Sequence, residues 1–199
     1  NRTQQQKTMA TATATAIYSY WFTVLPDMDK WFMKSSNYDD EIKERFGSNL
    51  VQAEANGLQS WLGTPKEYVA AVVLLDQFSR HVYRNEGNPY KNDDAARNIS
   101  SQGFACHYNS LNKFEKLFVL MPFVHSESLS DQERAVSFMR QEYRQSDQNK
   151  FWGNALGHAI AHREVIQEFG RFPKRNQRLG RMSTSEEVKY IQEHAERAY

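Results

Sequence analysis

The chain has 199 residues, of which 40% are hydrophobic and 25% charged, a composition typical of a globular protein. Its 25 basic and 24 acidic residues give a formal net charge of +1, which argues against a general nucleic-acid-binding protein. A mean hydropathy of −0.77 argues against a membrane protein. The single cysteine, Cys106, cannot form an internal disulfide and is typical of a reducing compartment, so we expect a cytoplasmic protein.

The first sixteen residues, NRTQQQKTMATATATA, form a basic, Thr-rich segment without acids and without the apolar core of a signal peptide. We interpret residues 1–16 as an extension: residues that precede a start at Met9, or the remnant of an organelle transit peptide. Under the second alternative, the protein is located in an organelle instead of the cytoplasm. Residues 17–199 are expected to form a single all-helical domain.

From Ile17 onward, apolar residues recur at helical spacing, and no segment alternates convincingly with a period of two. Ile42, Phe46 and Leu50 form one such stripe. The pattern predicts an all-α fold of about eight helices, stacked as antiparallel hairpins. Their expected positions are about 14–24, 38–56, 65–82, 93–102, 111–121, 131–146, 150–169 and 184–197.

Local signals support these helix boundaries. A helix start is indicated by a Ser or Thr that is followed three residues later by Glu, a pattern found at residues 64–67 (TPKE), 130–133 (SDQE) and 183–186 (STSE). The expected stops are Gly57, Gly103, Gly170 and Pro122.

The first candidate motif lies at the end of the apolar helix that contains residues 69–75. There Asp76, Gln77 and Arg80 follow the apolar run, with Asp76 and Arg80 at i, i+4. One interpretation is a structural ion pair on a helix surface. The other is a group of polar side chains that points from a core helix into a ligand cavity.

The second motif follows Pro122, which we expect to end an apolar helix. His125, Ser126 and Glu127 are consecutive, so they cannot form a Ser-His-acid triad by themselves. His125 can act as a general acid or base near neutral pH. Alternatively, His125 and Glu127 cap neighbouring helices.

The third motif, residues 169–181 (FGRFPKRNQRLGR), is locally basic in an otherwise neutral chain. It contains four Arg and one Lys without an acid. Arginine binds carboxylates and phosphates through a planar pair of N–H donors, which favours a site for an anion. Two alternatives are Arg residues that neutralise nearby acids and helix ends, and an RNA-binding patch, which the neutral net charge disfavours.

His158 and His162 share a helix face at i, i+4, a spacing used by metal sites. The residue after the first His is Ala159, whereas the zinc-protease motif requires Glu there, so we predict a role other than metal binding. The sequence has no Gly-rich phosphate loop, nucleotide fingerprint or cysteine metal motif, and we expect neither a metal nor a cofactor.

In this order, the motifs resemble the bacterial family called domain of unknown function 924, over about residues 17–193. The resemblance is carried by residues 74–80 (LLDQFSR), 120–127 (LMPFVHSE), 162–181, 53–58 (AEANGL) with Trp61, and the pairs Trp21-Phe22 and Trp31-Phe32. The family usually has Pro at Ser79 and Asn at His81, and commonly His at Lys174. The resemblance implies a fold similar to tetratricopeptide-type helical proteins, and no established activity.

The motifs favour three hypotheses for function. The first is a pocket that binds or transforms a small anionic metabolite, a phosphate or a carboxylate, as a hydrolase or lyase without a redox cofactor. The second is a peptide- or protein-interaction module in which the Arg cluster binds a terminal carboxylate. The third is a purely structural salt-bridge network. The expected partner is thus a small anion or a peptide terminus, with no nucleic acid and no membrane.

Under the first hypothesis, Arg171 and Arg175 hold the anion and Arg80 is a third donor. His125 transfers the proton and is oriented by Glu127 or Asp76. The full sets are His125, Glu127, Asp76 and His162 as catalytic candidates, and Arg80, Gln77, Ser126, Arg171, Arg175, Asn176 and Arg181 as ligand-binding candidates. We expect the three motifs to converge in space, because alternate helix ends of antiparallel hairpins lie on one face.

Overall fold

The computed structural model describes residues 2–24, 31 and 36–195, and every regular element among them is helical. This confirms the predicted all-α fold. With short 3-10 turns left aside and each continuous segment counted once, the described residues form eight helices. They are α1 (Arg2–Ser19, continued by the π-helical Tyr20–Val24), α2 (Ser36–Asn56), α3 (Pro65–Val72, continued by the π-helical Val73–Phe78 and by Ser79–Val82), α4 (Asp93–His107), α5 (Lys113–Val124), α6 (Leu129–Gln145), α7 (Lys150–Phe169) and α8 (Ser185–Glu193).

The chain divides into two compact units, unit 1 (Asn1–Pro122) and unit 2 (Phe123–Tyr199). The single domain expected over residues 17–199 stays a prediction. Phe32, which belongs to the family resemblance, lies outside the described residues. So do residues 196–197, the end of the last predicted helix. No helix in the described part of the chain is long and apolar enough to cross a membrane.

Helix α1 begins at Arg2, far before the predicted start near residue 14, and runs without a break through the segment that we set apart as an extension. It packs against α3. Ala14 and Ile17 are fully buried, and the Thr11 hydroxyl donates a hydrogen bond of 2.7 Å to Glu67. Residues 11–16 therefore contribute to the packing of unit 1.

Aromatic rings fill the core of unit 1. Trp21 lies edge-on to Phe78 and to Phe118, with ring centroids 5.5 and 5.4 Å apart. Phe46, from the predicted stripe on α2, packs against Phe78 at 5.0 Å. Edge-to-face pairs of this kind add to the free energy gained by burying large apolar side chains.

Gly103 does not end α4, so that predicted stop is wrong. The helix continues to His107, and Gly103 is buried in its middle. A Cβ at this position would lie only 2.3 Å from Cδ2 of Tyr68. The glycine is thus required by close packing of α4 on the Tyr68 ring of α3, which a reading of neighbouring residues alone cannot detect.

Pro122 does not end α5 either, since the helix continues to Val124. A proline inside a helix removes one N–H donor and disturbs the carbonyls of the preceding turn. The carbonyl of Val119 in that turn accepts a hydrogen bond from the Ser100 hydroxyl at 2.5 Å. This hydrogen bond ties the proline-containing turn of α5 to α4, and α5 ends two residues after the proline.

Unit 2 contains the helical hairpin α6–α7, joined by residues 146–149. Asn149 caps α7, its side chain accepting from the amides of Phe151 and Trp152. Gly170 ends α7 with φ of 68°, the left-handed conformation expected of a glycine stop. The short 3-10 turn Pro173–Arg175 and α8 complete the described part of the unit.

Two of the three predicted helix starts need correction. The cap at Thr64 is confirmed, because its hydroxyl accepts from the Glu67 amide. The start at residues 130–133 is wrong: α6 already begins at Leu129, after a turn in which Ser126 accepts from the Ser128 amide. The last capping box is shifted by one residue, to Thr184 and Glu187.

Candidate functional site

Glu127 lies at the centre of the polar cluster of unit 2. Its carboxylate accepts two hydrogen bonds from Arg181, Nη1 to Oε2 at 2.7 Å and Nη2 to Oε1 at 2.9 Å. Oε1 also accepts from the Phe172 amide at 2.8 Å. Burial alone would raise the pKa of Glu127, but these donors outweigh it and hold the pKa below its ordinary value. The second and third motifs therefore meet at this carboxylate.

Arg171 of the same segment forms an ion pair with Glu187 of α8. Nε and Nη2 donate to the two carboxylate oxygens at 2.6 and 2.8 Å. Glu187 also accepts from the Thr184 amide, as the acid of the capping box. Hydrogen bonding by Arg171, the largest effect, lowers the pKa of Glu187 to about 2, so this carboxylate stays ionised.

Asn176, which is fully buried, connects the two ion pairs. Its Oδ1 accepts from Arg181 Nε at 3.0 Å, and its Nδ2 donates to Glu187 Oε2 at 3.1 Å. Arg171 and Arg181 thus form ion pairs with carboxylates of this chain. This agrees with the alternative interpretation of the third motif, in which its arginines neutralise nearby acids. Their predicted part in ligand binding stays a prediction.

The backbone of Phe172 is held on both sides, since its amide donates to Glu127 and its carbonyl accepts from Arg181 at 3.3 Å. Its side chain is buried and touches two polar groups. The Arg175 guanidinium lies over the ring at 4.4 Å, and the His162 ring lies edge-on at 5.5 Å. Phe172 therefore places a cation and an imidazole beside one aromatic ring.

His162 of α7 is buried, and its protonation state follows from its contacts. Nδ1 lies 2.8 Å from the His158 carbonyl, which only accepts, so Nδ1 carries the proton and Nε2 the lone pair of the neutral ring. Burial, aided by the charges of His125 and Arg175, lowers the pKa of His162 to about 4. His162 is therefore neutral at pH 7 and carries a proton acceptor at Nε2.

The turn that carries His125 is fixed by side chains of α6. The Ser126 hydroxyl donates to Asp131 at 2.7 Å. The side-chain amide of Gln132, through Nε2, donates to the backbone carbonyls of Val124 and Ser126. His125 itself is buried. These contacts give Ser126 a structural part in the turn, and its predicted ligand contact stays a prediction.

The first motif belongs to unit 1 and lies on the π-helical turn of α3 and on the α-helical turn that follows it. Asp76 is fully buried and accepts from the Gln77 amide at 2.5 Å. Arg80 Nη1 donates to the Asp76 carbonyl at 2.7 Å and lies 3.0 Å from Asp93. The expected i, i+4 pair of Asp76 and Arg80 is present at 3.5 Å. Asp93 and the π-helical turn escaped the sequence analysis, because neither follows from local spacing.

The predicted site residues fall into two groups. Unit 2 brings together eight of them: His125, Ser126, Glu127, His162, Arg171, Arg175, Asn176 and Arg181. Asp76, Gln77 and Arg80 belong to unit 1, so the convergence of all three motifs stays a prediction. Two further residues of this cluster in unit 2, Phe172 and Glu187, were not predicted from the sequence. The capping box could have identified Glu187, had it been placed one residue later.

No group of three or more His, Cys, Asp and Glu side chains in the described part of the chain is arranged to hold a metal ion. What the cluster of unit 2 offers chemically is a buried guanidinium, Arg175, beside a neutral imidazole, His162. Such a pair suits an anion that needs both a fixed positive charge and a proton acceptor.

Comparisons with known proteins identify the family of the chain. None of the curated proteins matches it significantly. The solved structure of a protein of unknown function from Agrobacterium tumefaciens is 30% identical, with a TM-score of 0.81, over 92% of this chain and 98% of that chain. The model of the family described as "Bacterial protein of unknown function (DUF924)" matches residues 17–195. The chain therefore belongs to the DUF924 family.

Proposed function

We propose that unit 2 binds a small anionic ligand, a carboxylate or a phosphate, at Arg175, His162 and His125. The observation that carries the proposal is that Arg175 and His162 both contact the Phe172 ring, at 4.4 and 5.5 Å from its centroid. Both side chains are buried against the same Phe172 ring, and a guanidinium binds carboxylates and phosphates through its planar N–H donors.

In this proposal Arg175 is the principal anion donor, because its guanidinium is buried on the ring that also contacts His162, whereas Arg171 is half-buried and forms an ion pair with Glu187. Arg181, Glu127 and Asn176 hold the segment in place. His162 Nε2 accepts the proton in a hydrolase or lyase reaction, and His125 is the second proton carrier. This arrangement requires no redox cofactor.

The test is a thermal unfolding series with phosphate, malonate and acetate. A ligand that binds only the folded chain stabilises it by about 2.7 kcal/mol at a hundredfold excess over its Kd, which shifts the melting temperature by a few degrees. We expect Arg175→Lys to weaken this shift, because lysine lacks the planar pair of donors. Arg178→Ala, at an exposed position of the same segment, is the matched control and should keep the shift.

A flat response of the wild-type protein to all three anions contradicts the proposal and favours a purely structural network. Stabilisation by a short peptide that requires its free C-terminal carboxylate, without any response to phosphate, favours the interaction module instead.

Two broader expectations belong to the same proposal. The α6–α7 hairpin supports a tetratricopeptide-like stacking of helices. The exposed free thiol of Cys106 supports a cytoplasmic location, where such thiols stay reduced.

A further inference from the structure

The protonation of His162 depends on groups from three parts of unit 2. His158 lies one turn earlier on α7, His125 lies in the turn before α6, and Arg175 lies in the 3-10 turn that follows α7. Each of them, when it carries its positive charge, opposes a second proton on His162. Together with burial they lower its pKa to about 4. These surroundings therefore favour the neutral ring.

The carboxylates of the same cluster are engaged by other arginines. Glu127 accepts hydrogen bonds from both terminal nitrogens of Arg181. Glu187 accepts two hydrogen bonds from Arg171. An added anion is therefore the most direct source of further negative charge for the imidazole of α7.

The geometry determines which atom of His162 takes up a proton and how near a bound anion lies. Nδ1 donates to the His158 carbonyl at 2.8 Å, so a second proton is bound at Nε2. His162 and Arg175, exposed by 9% and 5%, contact the same Phe172 ring. Their distances to that ring put guanidinium carbon and imidazole centre no more than about 10 Å apart, a separation over which buried charges are little screened.

The charge of the ligand decides how strongly it acts on His162. A base with a pKa of about 4 is weak at neutral pH, and acid–base catalysis is most effective when the pKa lies near the working pH. A negative charge beside an imidazole raises its pKa. One negative charge offsets the repulsion by Arg175, whereas two also attract the imidazolium. A divalent anion is therefore the ligand class that suits this base.

We propose that a divalent anion, such as a phosphate monoester or a dicarboxylate, makes His162 a stronger base and is bound together with one proton at Nε2. The inference rests on the anion site proposed above and adds the charge of its ligand and its pH dependence. A reacting substrate supplies this proton itself, whereas an unreactive anion takes it from solvent. By linkage, anion and proton increase each other's affinity by the same factor.

The experiment is isothermal titration calorimetry of the full chain with sulfate, at constant ionic strength, in buffers of different ionisation enthalpy. The pH range is 4 to 6.5, from the pKa of His162 in the folded chain to its ordinary value. Sulfate has the shape of phosphate and does not titrate here, so any proton is taken up by the protein. We expect most of one proton per sulfate in the middle of the range, and an affinity that falls by up to about tenfold per pH unit.

Methanesulfonate, a monovalent anion that also does not titrate here, is the matched ligand control and should cause less uptake. Equal uptake with both anions overturns the assignment to divalent ligands. Sulfate binding without proton uptake overturns the whole inference and leaves the anion site of the proposed function in place. Absence of sulfate binding at every pH of the range overturns both.

Proton NMR of the wild-type chain assigns the proton to a residue. With saturating sulfate, the titration midpoint of the His162 ring should move from near 4 towards 6.5. The ring signal of His107, on α4 in unit 1, is the internal control for a general effect of salt and should not respond to sulfate. A His162 midpoint that sulfate leaves unchanged overturns the inference even if no variant folds.

Variants test the same assignment by calorimetry. His162→Gln keeps a side-chain N–H donor but cannot take up a proton, so it should bind sulfate without proton uptake and with little pH dependence. His158→Gln, at an exposed position of the same helix, keeps the backbone carbonyl that His162 contacts and should keep the uptake. Uptake that persists in His162→Gln would place the proton on another group, and the inference would be wrong.

Discussion

Arg181 and Glu127 are joined by two parallel hydrogen bonds, of 2.7 and 2.9 Å, although 54 positions separate them in the sequence. A paired set of N–H donors on a carboxylate is among the strongest polar contacts in proteins. Here it fastens the basic segment that follows α7 to the turn that precedes α6. The acid of the second motif is therefore what fixes the shape of the third.

Replacing Glu127 by alanine should destabilise unit 2. The change removes the acceptor for Arg181 and for the Phe172 amide, and partly buried donors without an acceptor cost about 2 kcal/mol. Urea unfolding, followed by circular dichroism, measures the loss. Glu133→Ala, at an exposed position of α6, should stay within about 0.5 kcal/mol of wild type, and equal effects of both changes would contradict this assignment.

Acid should weaken the fold through Glu187. Its pKa is about 2 in the folded chain, below the ordinary value of 4.5, so the folded state favours the ionised form. The stability that this provides is complete above pH 4.5 and is lost as the pH falls towards 2. Urea midpoints at a series of pH values should therefore decline less steeply over this range in Glu187→Gln than in wild type. A parallel decline in both proteins would contradict the prediction.

His162 should contribute a second, separate pH dependence. Its pKa falls from 6.5 to about 4 on folding, so between these values the unfolded chain binds a proton that the folded chain does not. Stability from this group is present above pH 6.5 and is lost as the pH falls to 4. The proton NMR titration of the ring should have its midpoint near 4. A midpoint near 6.5 would show that the ring is accessible to water, and would also remove the support for its role as a buried base.

Two glycines in helices should respond in opposite directions to alanine. Gly103→Ala places a Cβ 2.3 Å from the Tyr68 ring and should cost about 1–3 kcal/mol, in spite of the better helix propensity of alanine. Gly157→Ala meets no atom within 4 Å and should stabilise α7 by up to about 1 kcal/mol. Differential scanning calorimetry gives both values. Stabilisation by both substitutions would show that Tyr68 moves aside.

Features set by neighbouring residues were predictable from the sequence. The apolar spacing and the Thr64 cap depend on a few adjacent positions, and the start of α3 at Pro65 agrees with the prediction. Gly103 could not be interpreted in this way, because the reason for a glycine there is Tyr68 on another helix.

The candidate sites were likewise only partly predictable from neighbouring residues in the sequence. The sequence identified Glu127, Arg181 and Arg80 as notable residues, but their partners follow from tertiary packing. Arg80 lies close to Asp93, which belongs to the next helix along the chain, and nothing in the spacing of the first motif indicates that contact. The 2.7 Å contact between Asp39 of α2 and His81 of α3 was missed for the same reason.

Phe172 also has a consequence for how members of this family could diversify. Its peptide groups are anchored by Glu127 and Arg181, whereas its ring is the surface on which His162 and Arg175 rest. The hydrogen bonds that hold the Phe172 backbone therefore do not depend on the size of its side chain. Exchanging Phe172 for a smaller apolar residue would open space beside the imidazole and the guanidinium while the backbone hydrogen bonds remain, so one substitution changes the surroundings of these two side chains without a change in the path of the loop.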